Sequence, residues 1–148
     1  MILGLVGSEE AKFTKQGKID ACNMIRDSIL RYKPTGVVSG GCHLGGVDIW
    51  AIEVAKEMGI STTEFLPEGY SWLYYKSRNE LIAEESDAVV CITVAQLPPG
   101  FKEGGWEKYC YHCKTDKHIK SGGCWTMKRA HKLGKATQLF VVPNGPSE

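Results

Sequence analysis

The sequence contains no apolar run that approaches the roughly 20 residues needed for a membrane-spanning helix. It also lacks an excess of either charge, because 18 Lys and Arg residues balance 17 Asp and Glu residues, for a formal net charge of +1. No general attraction to nucleic acid or to a membrane surface is therefore expected. The apolar first residues have neither the basic start nor the cleavage site of a signal peptide. These absences, with no internal repeat or low-complexity tract, favour a globular cytoplasmic protein.

Disulfide bonds are not expected in a reducing compartment, although the sequence has six cysteines. In such a compartment cysteines are more often core residues, metal ligands or reactive groups. Cys22 and Cys91 lie in apolar patterns and are predicted to be core residues. A chain of 148 residues is long enough to bury a sizeable core, and residues 1–148 are expected to form a single domain.

Short apolar runs alternate with amphipathic stretches along most of the chain. We predict strands at residues 1–6, 36–39, 61–66, 88–94 and 138–142, and helices at residues 18–32, 47–58, 71–85 and 124–133. This alternation predicts an α/β, Rossmann-like fold, a parallel sheet of about five strands with helices on both faces. Right-handed crossovers favour the strand order 3-2-1-4-5. Residues 96–123 interrupt the pattern as a long irregular insert, and residues 143–148 are expected to fray.

Two glycine-rich segments precede helices and are candidate phosphate-binding loops. Small residues leave backbone N–H groups accessible, and the positive end of the following helix dipole adds to the attraction for an anion. The simpler alternative is a tight turn in which glycine only avoids strain. Both segments fall at the carboxyl edge of the predicted sheet, where ligands bind in such folds. Their candidate ligand residues are Gly40, Gly41, Gly45 and Asp48 in the first segment, and Gly122, Gly123 and Thr126 in the second.

Further ligand contacts are expected from helical side chains. Asp48 either accepts a hydrogen bond from a ribose hydroxyl or only complements the start of its helix. Trp72 or Tyr75 is placed to stack on a base, and Arg78 to bind a phosphate, unless these residues form a solvated helix face. Neither glycine segment matches the dinucleotide G-x-G-x-x-G fingerprint or a Walker loop.

A Cys/His segment within the insert predicts a metal site. Cys110, Cys113, His118 and Cys124 have the spacing C-x2-C-x4-H-x5-C, and four such ligands suit tetrahedral Zn²⁺. The pattern resembles a zinc knuckle with one extra residue, so we expect a zinc-binding insert at residues 104–124. A closed set of four ligands favours a structural over a catalytic ion. His112 is a spare ligand, and the alternative is that these cysteines are incidental or packed in the core.

Four segments, taken in order, resemble the SLOG superfamily of Rossmann-like nucleotide-binding proteins, which includes the lonely-guy phosphoribohydrolases (lysine decarboxylase-like) and the DNA-processing protein A family. The resemblance implies a nucleotide-like ligand, with Gly7, Ser8, Arg78 and Asn79 among the contacts. It rests on Gly4-Leu5-Val6-Gly7-Ser8, on Val38-Ser39-Gly40-Gly41 with residues 45–48, on Arg78-Asn79 ahead of Ser86-Asp87-Ala88-Val89-Val90, and on Gly122-Gly123-Cys124-Trp125-Thr126.

The lonely-guy signature differs from this sequence at three positions. Ser121 replaces its proline, Trp125 replaces its third glycine and Arg129 replaces its catalytic glutamate. These departures leave the phosphate-binding geometry in place and leave open whether the chain is an enzyme. The Trp125 indole is expected either to widen the second loop or to serve as a wall on which a base stacks.

Three functions follow from these patterns. The first is a nucleotide-binding protein with a structural zinc site beside the phosphate-binding loop. The second is an enzyme that cleaves an N-glycosidic bond, a phosphoribohydrolase or a deoxyribosyltransferase-like enzyme, with Asp48, Glu68 or Glu9 as the carboxylate. The third is a single-stranded nucleic-acid binding module. The sequence also leaves open whether the chain forms a homo-oligomer. The basic and aromatic surface of the third function comprises Tyr109, Tyr111, Lys114, Lys117, Lys120 and Trp125.

Overall fold

A computed structural model describes residues 1–101 and 108–145, and these contain five strands and four α-helices. The strands form one parallel sheet in the order β3-β2-β1-β4-β5, which confirms the predicted α/β, Rossmann-like arrangement and its strand order. None of the described helices is both long enough and apolar enough to span a membrane. The elements are β1 (Ile2–Gly7), α1 (Lys15–Tyr32), β2 (Gly36–Gly40), α2 (Val47–Glu57), β3 (Ser61–Phe65), α3 (Trp72–Glu85), β4 (Ala88–Val94), α4 (Gly122–Lys132) and β5 (Ala136–Val142).

Helices cover both faces of the sheet because the central strands are apolar on both sides. Successive residues of a strand point to opposite faces, so that Leu5 and Val90 pack in a cluster with α1 and α2. Val6 and Val89 pack in a second cluster with α3 and α4. Cys91 is buried in this second cluster, as predicted. Loops from both faces of the sheet meet at the carboxyl ends of β1, β2 and β4, the edge where ligands bind in such folds.

Two helices begin earlier than the apolar pattern predicts, because polar side chains cap them. The Thr14 hydroxyl accepts a hydrogen bond from Gly17 N (2.9 Å), so that α1 begins at Lys15. The Ser121 hydroxyl accepts one from Gly123 N (3.1 Å), so that α4 begins at Gly122. A pattern of apolar spacing cannot detect a first turn that contains no apolar residue.

The expected fraying of the tail is wrong at Asn144, which is 1% exposed. Its Oδ1 accepts from Thr14 N (2.7 Å), and its Nδ2 donates to Lys12 O (2.9 Å) and Gln96 O (2.7 Å). This one amide ties the tail to the entry of α1. Of the predicted zinc insert, residues 104–107 lie outside the described residues.

Candidate functional site

A cavity of about 610 Å³ opens at the carboxyl edge of the sheet. The end of β1, the loop from β2 to α2, the start of α3 and the start of α4 contribute its walls. The fold thus brings together segments that are more than 100 residues apart in the sequence. Eight of the predicted ligand residues line the cavity, namely Gly7, Ser8, Asp48, Arg78, Asn79, Gly122, Gly123 and Thr126.

The remaining predicted residues, Gly40, Gly41 and Gly45, do not line the cavity but shape the loop behind it. Gly45 has a φ of 73°, a left-handed conformation that favours glycine. At Gly40 an added Cβ would overlap the Arg78 guanidinium and would lie 2.9 Å from Asp48 Oδ2. The absence of a side chain at Gly40 therefore lets Arg78 and Asp48 reach the same part of the wall.

The N-terminus of α4 forms the opposite wall, and its two glycines have different roles. A Cβ on Gly123 would lie 2.8 Å from Gly7 N, so only glycine lets α4 approach β1 this closely. A Cβ on Gly122 would meet no atom within 4 Å. Gly122 and Gly123 thus border the cavity at the positive end of the helix dipole, with the Gly123 N–H already bonded to the Ser121 hydroxyl.

Three buried hydroxyl or carboxyl oxygens in the cavity wall have no hydrogen-bond partner: Ser8 Oγ, Asp48 Oδ1 and Thr126 Oγ1. Their residues are 1%, 8% and 1% exposed. The described residues contain five such buried polar atoms, so most of them lie in this one cavity. Buried polar atoms are normally hydrogen-bonded. Their convergence beside a helix N-terminus makes this cavity the candidate site for a polar ligand.

Arg78 is held in a fixed position beside these atoms. Its Nε donates to Asn79 Oδ1 (2.8 Å), its Nη1 donates to Phe65 O (3.3 Å), and its guanidinium lies 5.5 Å from the Tyr75 ring centroid. A guanidinium has five N–H groups, and these bonds use two of them. The others are available to an anion in the cavity.

The Asp48 carboxyl has an unusually high pKa because it is buried. Burial raises its pKa to about 7, against the opposing effects of the nearby Arg78 cation and the Gly7 backbone N–H. Near neutral pH the group is therefore present both as an acid, which donates a hydrogen bond, and as a carboxylate, which accepts one. Either form can engage a hydroxyl group of a ligand.

Lys12 also lines this wall, although no sequence pattern predicts it, and so does Glu9, which was predicted only as a catalytic carboxylate. Lys12 Nζ donates to Lys120 O (2.8 Å) and lies 4.0 Å from Glu9 Oε1. Burial lowers the pKa of Lys12 and raises that of Glu9. Both residues belong to a short polar stretch after β1, and no local pattern marks them.

The aromatic residues divide between two surfaces. Trp72 and Tyr75 line the cavity, and Tyr75 Oη lies 3.4 Å from His43 Nδ1. Trp125, expected as a possible stacking wall, lies outside the cavity with its ring edge-on to that of Trp72 at 5.9 Å. It lines a neighbouring groove of about 920 Å³ between α3 and α4. The indole of Trp72, not that of Trp125, therefore lines the cavity.

The Cys/His segment folds so that its four predicted ligands meet. The ligand atoms of Cys110, Cys113, His118 and Cys124 all lie within 4.8 Å of one another. A tetrahedral site with Zn–S bonds of about 2.3 Å has ligand-to-ligand distances of about 3.8 Å, so the cluster needs only a small contraction. His112, the spare ligand, is not part of this group. A Cys3His cluster compatible with a metal such as zinc is thus present.

The histidine of the cluster is oriented as a metal ligand. His118 Nδ1 lies 3.1 Å from Ile119 O, and because a carbonyl only accepts, Nδ1 carries the proton. The lone pair is then on Nε2, a buried atom that has no partner. Burial and the neighbouring thiols raise the pKa of Cys113 to about 12. A cation that replaces the thiol protons would stabilise the cluster.

The cluster and the cavity share one piece of chain. His118 and Cys124 bracket residues 119–123, and Lys120, Ser121, Gly122 and Gly123 from this stretch line the cavity. Arg129 points elsewhere, because its guanidinium forms a two-pronged pair with Glu80 of α3 at 2.8–2.9 Å. The position of the lonely-guy glutamate is thus used to join α3 to α4.

No family model matches the sequence, and no curated protein sequence matches it. Among solved structures, that of DNA processing protein A (DprA) from Streptococcus pneumoniae is similar, with a TM-score of 0.57 and 16% identity. The match covers 90% of this chain and 48% of that chain, so this chain spans about half of its length. At this identity the likeness concerns the fold. The α/β, Rossmann-like architecture predicted from the sequence is therefore the fold that this chain shares with DNA processing protein A.

Proposed function

We propose that this chain binds a nucleotide or a nucleotide derivative in the cavity at the carboxyl edge of the sheet. The observation that carries the proposal is the convergence of Ser8 Oγ, Asp48 Oδ1 and Thr126 Oγ1, buried and unpartnered, beside Arg78. The phosphate would bind the N-terminus of α4, the Thr126 hydroxyl and Arg78, as anions do at helix N-termini. Asp48 would bind a sugar hydroxyl, and the aromatic rim would contact the base.

We further propose that Cys110, Cys113, His118 and Cys124 hold a structural Zn²⁺ ion. Two of the three thiols and the imidazole are buried, and four protein ligands leave no position open for substrate. The ion would order the insert of residues 104–124 within a single domain of residues 1–148. The same ion would fix the turn that carries Gly122 and Gly123.

Calorimetric titration with nucleoside mono- and triphosphates, a free base and inorganic phosphate tests the cavity. Arg78→Ala and Thr126→Val should weaken nucleotide binding, while Arg26→Ala, which removes a surface arginine paired with Glu57, should not. Equal affinity in all four proteins would refute the proposed site. Elemental analysis of protein purified without added metal should find one zinc ion per chain, and a metal-free protein with all six thiols titratable would refute the zinc site.

The same titrations distinguish binding from turnover. Release of a free base during incubation would identify the alternative function, cleavage of an N-glycosidic bond, with Asp48 as the carboxylate in the cavity wall. Asp48→Asn should then abolish release while the fold is retained. Recovery of intact nucleotide supports a binding protein.

A second candidate, binding of single-stranded nucleic acid, is favoured by the groove between α3 and α4. Among its described lining residues Glu80 is the one acidic group, and Arg129 pairs with it. The cations and the aromatic ring that remain suit a phosphate backbone and stacked bases. Because the structurally similar protein is named for DNA processing, a fluorescent single-stranded DNA is the probe. Binding should weaken with salt and in a Lys128→Ala/Lys132→Ala double variant. The lining cations are Lys76, Lys114, Lys128, Arg129 and Lys132.

A further inference from the structure

The Cys91 thiol is a buried group that neither proposed site uses. It lies on β4, where its backbone pairs with Val6 of β1 and Leu139 of β5, and it is 0% exposed. Its Sγ lies 4.0 Å from Cys124 Sγ, a distance at which one thiol donates a hydrogen bond to another sulfur. The neighbouring Gly123 packs on the same atom, since an added Cβ would lie 3.1 Å from Cys91 Sγ.

A metal ion at the cluster would decide the direction of this hydrogen bond. A metal-bound Cys124 is a thiolate and has no proton to donate, so only Cys91 can be the donor. Zn²⁺ with three thiolates and one neutral imidazole has a net charge of −1. In a buried site this charge requires hydrogen-bond donors around the ligand sulfurs, and such outer donors also fix the ligand orientation.

We propose that Cys91 is a positioning residue for the zinc centre, with its neutral thiol donating an S–H···S hydrogen bond to the Cys124 thiolate. This inference rests on the proposed zinc site. On loading, Cys110, Cys113 and Cys124 each release a proton to solvent, while Cys91 retains its own. Because β4 is a central strand, the donor is held rigidly, and it anchors the one ligand sulfur that belongs to the turn at the start of α4.

Substitutions at Cys91 separate a donor from a packing residue. If Cys91 only fills space, Cys91→Ala and Cys91→Val should keep the metal affinity, and Cys91→Ser should be the harmful change. If it donates, Cys91→Ala and Cys91→Val should lower the metal affinity, and Cys91→Ser should keep it. Loss of an outer hydrogen bond typically costs 10- to 100-fold in metal affinity, so we expect about 10-fold weaker zinc binding in Cys91→Ala and a value near wild type in Cys91→Ser.

Zinc affinity is measured by competition with a chromophoric chelator on the full chain under reducing conditions. Cys22→Ala and Cys22→Ser are matched controls, because Cys22 packs against the other face of the sheet. The Co²⁺-loaded proteins add a signature that stability alone would not move: the sulfur-to-cobalt charge-transfer band should shift in Cys91→Ala and stay in place in Cys91→Ser. Unchanged affinity and spectrum in Cys91→Ala would overturn the inference. A wild type that binds no metal would instead refute the zinc site itself.

The zinc-loaded wild type provides a measurement that does not depend on the apolar variants folding. Its Raman spectrum should contain an S–H stretching band, absent from Cys91→Ser, at lower frequency than that of a free thiol. No such band would mean that Cys91 carries no proton, and a band at the free-thiol frequency would mean that it donates to no acceptor. Either result overturns the inference.

Discussion

Removal of the metal from the Cys3His cluster should weaken nucleotide binding in the cavity by about 10- to 100-fold while the sheet stays folded. The two sites share residues 119–123, which lie between the ligands His118 and Cys124. Without the metal, this stretch loses its fixed ends. A ligand must then order the turn before the N-terminus of α4 can bind a phosphate.

The expected magnitude follows from the contacts that remain when the metal is absent. Ile119 N still donates to Val94 O (2.9 Å), and Lys12 Nζ to Lys120 O (2.8 Å), so the first part of the stretch stays attached. Gly122 and Gly123 depend most on Cys124. Ordering one residue costs about 1–2 kcal/mol. Because the turn is partly retained without the metal, we expect the cost of ordering Gly122 and Gly123 together to be about 1.4–2.8 kcal/mol. Each 1.4 kcal/mol is a factor of ten in affinity.

The assay is calorimetric titration of one nucleoside triphosphate into zinc-loaded, chelator-treated and zinc-reconstituted protein, with circular dichroism to confirm the fold. Linkage requires the reverse effect, so saturating nucleotide should tighten zinc binding by the same factor. Cys22→Ser, which keeps the cluster intact, is the control. Equal nucleotide affinity in the three preparations, with the fold intact, would show that the turn is ordered without the metal and would refute the reasoning.

Three further predictions concern stability, each measured by urea unfolding. Gly123→Ala should destabilise the fold by about 1–3 kcal/mol because its Cβ would meet the backbone of Gly7, whereas the matched Gly122→Ala, with open space at its Cβ, should be close to wild type; equal losses would contradict the packing argument. Asn144→Ala should cost about 2–4 kcal/mol, because it removes buried hydrogen bonds to Thr14 and Lys12, and a loss under 1 kcal/mol would place the tail outside the core. The folded-state pKa of Asp48 is raised from 3.8 to about 7, so the folded state binds the extra proton and wild-type stability should fall as pH rises from about 4 to about 7. Asp48→Asn should lessen that fall, and parallel pH profiles would exclude Asp48 as its source.

The metal cluster was predicted from the spacing of its ligands, and the cavity from the predicted strand order. The cluster depends on four residues within a span of fifteen, so its spacing alone carried the hypothesis. The cavity depends on the strand order, which a βα alternation and right-handed crossovers are enough to predict. Lys12 and Asn144 could not be assigned, because each has a hydrogen-bond partner that lies more than 100 residues away in the sequence.

The position of Trp125 shows which part of the site could be predicted from the sequence. On an α-helix residues four apart share a face, so Gly122 and Thr126 point together into the cavity. Trp125 is three and four residues from Lys128 and Arg129, and it lies with them in the groove between α3 and α4. Adjacent side chains of a helix are about 100° apart around its axis. An expectation that placed Trp125 beside a ligand held by Thr126 therefore gave one direction to two side chains that point in different directions. The two faces of α4 therefore serve separate surfaces, and substitutions at Lys128 should leave nucleotide binding in the cavity unchanged.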